Sequence, residues 1–297
     1  MHLFRLHPSS NPMNLKLLFG FLAASSLSAA FLVYPNDVKA AACPDLSITT
    51  LTSVDDGGDA TSFNAVTGGD CSGTPDEYGV TIYKMGLCAS DPVSSVGAEP
   101  DYSSCSITYD DSDGTDADFS ASTSVGLDES LSTRPADGTY NYAFMLLNNT
   151  FRIKAEYGPI GGITYYSTST SVGRSGTANT TGPATINDVT ANSFGENCDA
   201  QDTVSADAGP MTGTLLNTSQ QRISDNSSVS TCSGVSYILA VVNLDSPVTI
   251  TESVRSLDAT FTVTANGTTG GTTIYGDGSG GLVFDAGPFN VTMGVVE

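Results

Sequence analysis

The chain has 297 residues and a formal net charge of −22, from 32 Asp and Glu against 10 Lys and Arg. An excess of negative charge on this scale excludes nucleic acid and anionic lipid surfaces as partners. Tryptophan is absent and the two histidines, His2 and His7, lie ahead of an apolar segment. Beyond that segment there is no His-based general base, no His metal ligand and no Ser-His-Asp arrangement.

The apolar segment is 17–33, preceded by Lys16 and followed by Pro35-Asn36-Asp37 and then Ala40-Ala41-Ala42. A basic flank, an apolar run and a small-residue exit are the parts of a secretory signal peptide, expected over 1–42. Met13 is its expected start, because Met13-Asn14-Leu15-Lys16 makes a conventional n-region. As a membrane span the segment is short and interrupted by Ser25, Ser26 and Ser28. No membrane span is therefore expected once the signal is cleaved. A lipoprotein leader would carry an aliphatic residue where Ala40 precedes Cys43, and a prepilin leader would carry Glu where Ser25 stands. The expected location is secreted, extracellular or at the cell surface, with the periplasm as the alternative.

After residue 42, seven basic residues face thirty-one acids, and all six cysteines remain: Cys43, Cys71, Cys88, Cys105, Cys198 and Cys232. An even number in an exported chain predicts disulfides. Of the fifteen possible pairings, spacing favours the local set Cys43–Cys71, Cys88–Cys105 and Cys198–Cys232. Each would contribute about 2–4 kcal/mol by constraining the unfolded chain. No Cys-x-x-Cys pair points to a metal instead.

Helical periodicity is nearly absent, while short alternating segments bounded by Gly, Asp, Asn and Pro recur. The expected class is all-β, with antiparallel sandwich-type modules, two of them, stapled by disulfides. Strands are predicted first at 78–87 and 105–109. Within this region Gly79-Val80-Thr81-Ile82-Tyr83-Lys84-Met85-Gly86-Leu87-Cys88-Ala89-Ser90-Asp91, with Cys105 following, resembles a strand-plus-cysteine motif of uncharacterised secreted β-rich proteins of marine bacteria. The resemblance implies export and a β module with a nearby disulfide, and no activity.

Next, 109–118 reads Tyr-Asp-Asp-Ser-Asp-Gly-Thr-Asp-Ala-Asp, placing Asp111, Asp113, Asp116 and Asp118 around Gly114. Alternating carboxylates about a glycine suit a calcium loop, whose oxygens must converge on the ion. Against this, Tyr109 holds the place of the first carboxylate and no glutamate holds the bidentate place. The competing expectation is a solvated acidic turn.

The segment 140–157 alternates strongly. Asn148-Asn149 could supply the positive φ angles of a two-residue hairpin turn. Leu146 would then oppose Phe151 and Phe144 would oppose Ile153, with Arg152, Lys154 and Glu156 on the outer face. Further strands are expected at 163–168, 236–244, 248–252, 260–265, 281–284 and 289–296, with Tyr237–Val242 apolar on both faces. The Ser/Thr/Gly-rich stretch 171–185 is expected to be a linker or long loop. It would divide a β domain over 43–170 with four cysteines from one over 186–297 with two, one elaborated sandwich being the alternative.

For function, the leading expectation is a non-enzymatic secreted or cell-surface β protein, structural or adhesive, such as an envelope or appendage component. Self-assembly could use the C-terminal strand, with Phe289, Val291, Met293 and Val295 on one face, as a donated strand, although such a strand more often closes its own sheet. The alternative is a soluble module that binds a glycan or small ligand through Tyr-, Asp- and Asn-rich loops. A third class is a hydrolase built on paired carboxylates, but the strand carboxylates Glu156 and Glu252 are expected on solvated faces. The glycines of 276–281 suit a hairpin tip better than a phosphate cradle, since neither a helix nor a Lys follows.

Overall fold

The computed structural model describes residues 41–55, 57–120, 129–169, 176–177, 180–195, 197–254, 256–263 and 271–296. All but the last two residues of the expected signal segment lie outside them. Among the described residues the chain forms sixteen strands and one short helix, α1 (Phe63–Thr67). Ser62 caps that helix by accepting from the Ala65 amide, and Gly68 closes it in the left-handed region.

The first strands are β1 (Asp70–Gly73), β2 (Glu77–Cys88), β3 (Cys105–Asp118), β4 (Gly138–Asn148), β5 (Thr150–Lys154), β6 (Glu156–Ile160), β7 (Ile163–Tyr166) and β8 (Gly176–Thr177). They are followed by β9 (Asn187–Thr190), β10 (Gln201–Ala206), β11 (Gly209–Asn217), β12 (Val235–Ile250), β13 (Ser256–Thr262), β14 (Thr272–Gly276), β15 (Leu282–Ala286) and β16 (Asn290–Val296). The fold is all-β and the strand ladders are antiparallel.

A large sheet runs β10-β11-β12-β4-β2-β5-β9, with β3 also paired to β2. A second layer comprises β1-β14-β15-β8 and the pairs β13-β16 and β6-β7. The main core lies between the layers. It joins Leu147, Ile153 and Ile238 of the large sheet to Cys71, Ile274, Phe284, Phe261 and Val291 of the other strands. A smaller cluster covers the outer face of the large sheet, with Phe144, Leu146, Leu216, Leu239 and Val241 beneath Val93 and Tyr102. The loop carrying those two residues is closed by the Cys88–Cys105 disulfide, and Cys43–Cys71 and Cys198–Cys232 complete the set.

Two expectations are corrected. First, Asn148-Asn149 is not a hairpin turn. β4 pairs with β2 over 82–88, and β5 pairs with the same strand over 77–79. The two are successive stretches of one edge, and their alternation runs straight through: Ala143, Met145, Leu147, Phe151 and Ile153 all enter the main core, while Phe144 and Leu146 face outward. Second, 171–185 does not separate two sheets. β12 pairs with β4 from Tyr237↔Asn148 to Ile250↔Gly138, so strands on both sides of that segment share one sheet. Within the segment, β8 pairs with β15; residues 171–175 and 178–179 lie outside the described residues. The C-terminal strand β16 is paired along its length with β13 of its own chain, the closure within the chain that is the commoner arrangement for such a strand. No helix among the described residues is long and apolar enough to cross a membrane.

Candidate functional site

The acidic segment forms part of β3 rather than a metal loop. β2 and β3 lose register opposite Tyr83, between Ile82↔Thr115 and Lys84↔Asp110, and Asp111–Gly114 bulge out there. Gly114 takes φ +80°, the left-handed conformation such a bulge demands. Each carboxylate but one has a local task. Asp111 accepts from the Thr115 hydroxyl at 2.8 Å and the Asp113 amide at 2.9 Å. Asp116 accepts from Thr81 at 2.6 Å and Arg152 at 3.1 Å. Asp118 accepts from the amides of Tyr78 and Ser120. Asp113 is exposed. Among the described residues, no three His, Cys, Asp or Glu side chains are placed to hold a metal ion. The expected calcium set of Asp111, Asp113, Asp116 and Asp118 is therefore not brought together.

These bonds act on the protons as hydrogen bonds to an ionised carboxylate must. The Thr115 hydroxyl, followed by the Asp113 amide, holds the Asp111 carboxyl below its usual range. For Asp116 the Thr81 hydroxyl is the main cause, and it outweighs the opposing effect of partial burial.

Among the described residues a feature with room for a ligand lies elsewhere, between the two layers. A cleft of about 420 Å³ opens there, within the roughly 300–1,000 Å³ of small-molecule sites. Its floor is the inner face of the large sheet: Leu147 and Phe151, Ile238 and Ala240, Met211 and Gly213. These residues are core-facing because of the period-2 alternation of their strands. The opposite wall carries Thr273, Asp285 and Phe289. Tyr78, Phe151 and Phe289 meet at one corner, with Tyr78 edge-on to Phe151 at 5.8 Å and to Phe289 at 6.5 Å. The Tyr78 hydroxyl donates to the Gly287 carbonyl at 2.5 Å. Burial, with the Asp285 charge adding to it, pushes this phenol far above its ordinary value, so it stays a protonated donor.

At the mouth, Phe194 lies across β11. An added Cβ at Gly213 would stand 2.9 Å from the Phe194 ring, so glycine is what allows the ring to lie down there. The loop bearing Phe194 is organised by Ser193, whose hydroxyl oxygen accepts from the amides of Gly195 and Asp199. It is tied to the Cys198–Cys232 disulfide, since the Cys232 amide donates to the Asn192 carbonyl. Three carboxylates line the cleft, Asp70, Asp202 and Asp285, each from a different strand, and none of the described lining residues is basic. A second void of about 40 Å³, among Met145, Met211, Phe261 and Phe289, is apolar and too small for an organic ligand.

No member of this cleft is a candidate on sequence grounds. Its residues come from separated strands, several of which (β1, β9, β10, β11, β14) lack strong apolar alternation. The legible signal is Asp285, a carboxylate directly after the apolar run Leu282-Val283-Phe284. The expected site residues that the structure does unite are the six cysteines, in the three local pairs. No protein-family model, no curated protein and no solved structure matches the chain.

Proposed function

We propose that this chain is an exported, non-enzymatic binding protein whose inter-sheet cleft takes a small ligand. The observation that carries the proposal is the cleft itself, a chamber lined mostly by apolar side chains with a few polar groups among them, the usual composition of a small-molecule site. The apolar leader-like segment 17–33 and three disulfides support export, because such bonds persist in oxidising compartments.

The test is ligand-observed NMR of the purified protein against a panel of small amphiphiles and oligosaccharides. Ala191→Phe and Val189→Trp would serve as two cleft-filling controls. Binding by the wild type that both fillings remove is the expected result. A panel in which nothing binds, or in which the filled variants bind equally well, would sink the proposal.

A further inference from the structure

We infer that the ligand of the cleft carries an unbranched alkyl tail whose end passes Met211 into the adjoining methionine-lined void; the inference rests on the cleft being the binding site and adds the class of ligand. The cleft and the void share Met211, Ala240 and Phe289 in their linings. They are consecutive along one sheet face. In register, Gly213 lies opposite Ala240, Ala240 opposite Met145, and Met145 opposite Met85, so a single cross-strand row runs from the cleft floor into the void. The next inward row, Met211, Val242 and Ala143, floors the void beyond it. On the opposite wall Phe289 borders both chambers. Val291 and Met293 follow it at the two-residue period of a strand and border the void.

Gly213 and Ala240 place almost no side chain in the passage, which leaves Met211 and Phe289 as the partition. Methionine is unbranched with three rotatable bonds, so Met211 can swing aside where a branched residue would block. All four methionines beyond residue 42, Met85, Met145, Met211 and Met293, line the void and give it an adaptable wall. The one polar side chain among its described lining residues is Thr108, whose hydroxyl donates to the Met85 carbonyl. The void's 40 Å³ exceeds the roughly 10–15 Å³ that a water needs, but its apolar lining offers water no partners, so it stays dry. The end of an alkyl chain supplies the dispersion contacts that such a lining lacks. A bulky or rigid body is stopped at Met211.

The experiment titrates protein isotopically labelled at its methionine methyls with hexanol, octanol, decanol and adamantanol, all uncharged, and follows the methyl signals by NMR. From hexanol to decanol each methylene should tighten binding about fourfold, the equivalent of about 0.8 kcal/mol. Decanol should shift the methyl signals of Met85, Met145 and Met293 as well as that of Met211; adamantanol should shift Met211 alone. Filling the void with Ala143→Leu or, as a second and smaller change, Ala259→Val should weaken decanol at least about fourfold and leave adamantanol unchanged. Decanol that binds and is blocked by Ala191→Phe, but leaves the Met85, Met145 and Met293 signals in place, would overturn the tail inference and leave the cleft as a binding site. Unchanged decanol affinity in both filled variants would do the same. Failure of decanol to bind, while other ligands bind and are blocked by Ala191→Phe, would likewise overturn the tail inference alone. Failure of every ligand would overturn both.

Discussion

Asn149 shows how one side chain can decide a register. It is 7% exposed and lies where β4 gives way to β5 and, on the neighbouring row, β12 gives way to β9. Its amide donates to the Ser236 carbonyl, its carbonyl accepts from Ala191, and its side-chain amide donates to Asn192 Oδ1 and the Val235 carbonyl. An asparagine pair between two alternating runs has the same sequence signature whether it turns the chain or passes through a sheet, and the partner that decides, β2, lies some sixty residues away. Asn149→Ala should therefore cost about 1–3 kcal/mol, the range for leaving buried polar partners unsatisfied. Phe144→Ala and Ile153→Ala should cost about 2–5 kcal/mol each, although the two side chains occupy opposite faces. Lys154→Ala should lie within about 0.5 kcal/mol of wild type. Denaturant melts of the four variants check this order; a cost at Lys154 above that at Ile153 would contradict the placement of β5.

At the scale of elements, the strands with strong alternation were legible and those held by partners were not. β2 occupies almost the span expected from 78–87, and β16 nearly that expected from 289–296. The expected break between 244 and 248 is absent, because β12 continues to Ile250. A register shift between Asn243 and Val248 absorbs the turn-like Asp245-Ser246-Pro247, and such a shift is where a strand tolerates proline. β11 carries Gly, Pro and Thr and β14 carries Gly and Thr, so neither signals a strand by its own pattern; neighbours on both edges hold them extended. β3 extends well past the expected Tyr109, since its aspartates are accommodated by a bulge and by hydroxyl donors. Acidic side chains along this strand also suit an outer position in the sheet, where charge discourages pairing with another chain.

The hydrogen bonds to Asp111 and Asp116 make stability depend on pH with a defined sign. Both carboxyls are lowered from 3.8 in the folded chain. The stability they contribute is fully present above the unfolded pKa and is lost as pH falls through the lower folded values. The melting-temperature advantage of wild type over an Asp111→Asn/Asp116→Asn variant should be constant above about pH 5 and shrink below about pH 4. Taking the difference cancels the general relief of charge repulsion that acid brings to so acidic a chain. An advantage that grows on acidification would show that the carboxylates are not held low.

At the scale of the whole molecule, class and disulfides were legible because both rest on local pattern, whereas the cleft and the sheet order depend on contacts between distant segments. The same interleaving makes a folding prediction. Strand β12 lies between β11 and β4, and Ile238, Leu239, Val241 and Val242 on it are all buried. Burying a side chain of this size stabilises by about 1.5–3 kcal/mol. Removing the four leaves a deficit on the order of 6–12 kcal/mol, comparable to the entire stability of a typical domain, about 5–15 kcal/mol. It would also uncover Phe144 and Leu146, which pack against that strand's outer face. A fragment of residues 43–169, with four cysteines and both of its disulfides, should therefore show no cooperative unfolding transition. Residues 43–297 should unfold in one transition that coincides by circular dichroism and tyrosine fluorescence. Cooperative folding of the fragment alone would restore a boundary at 171–185 and reduce the β4–β12 ladder to a contact between two independent units.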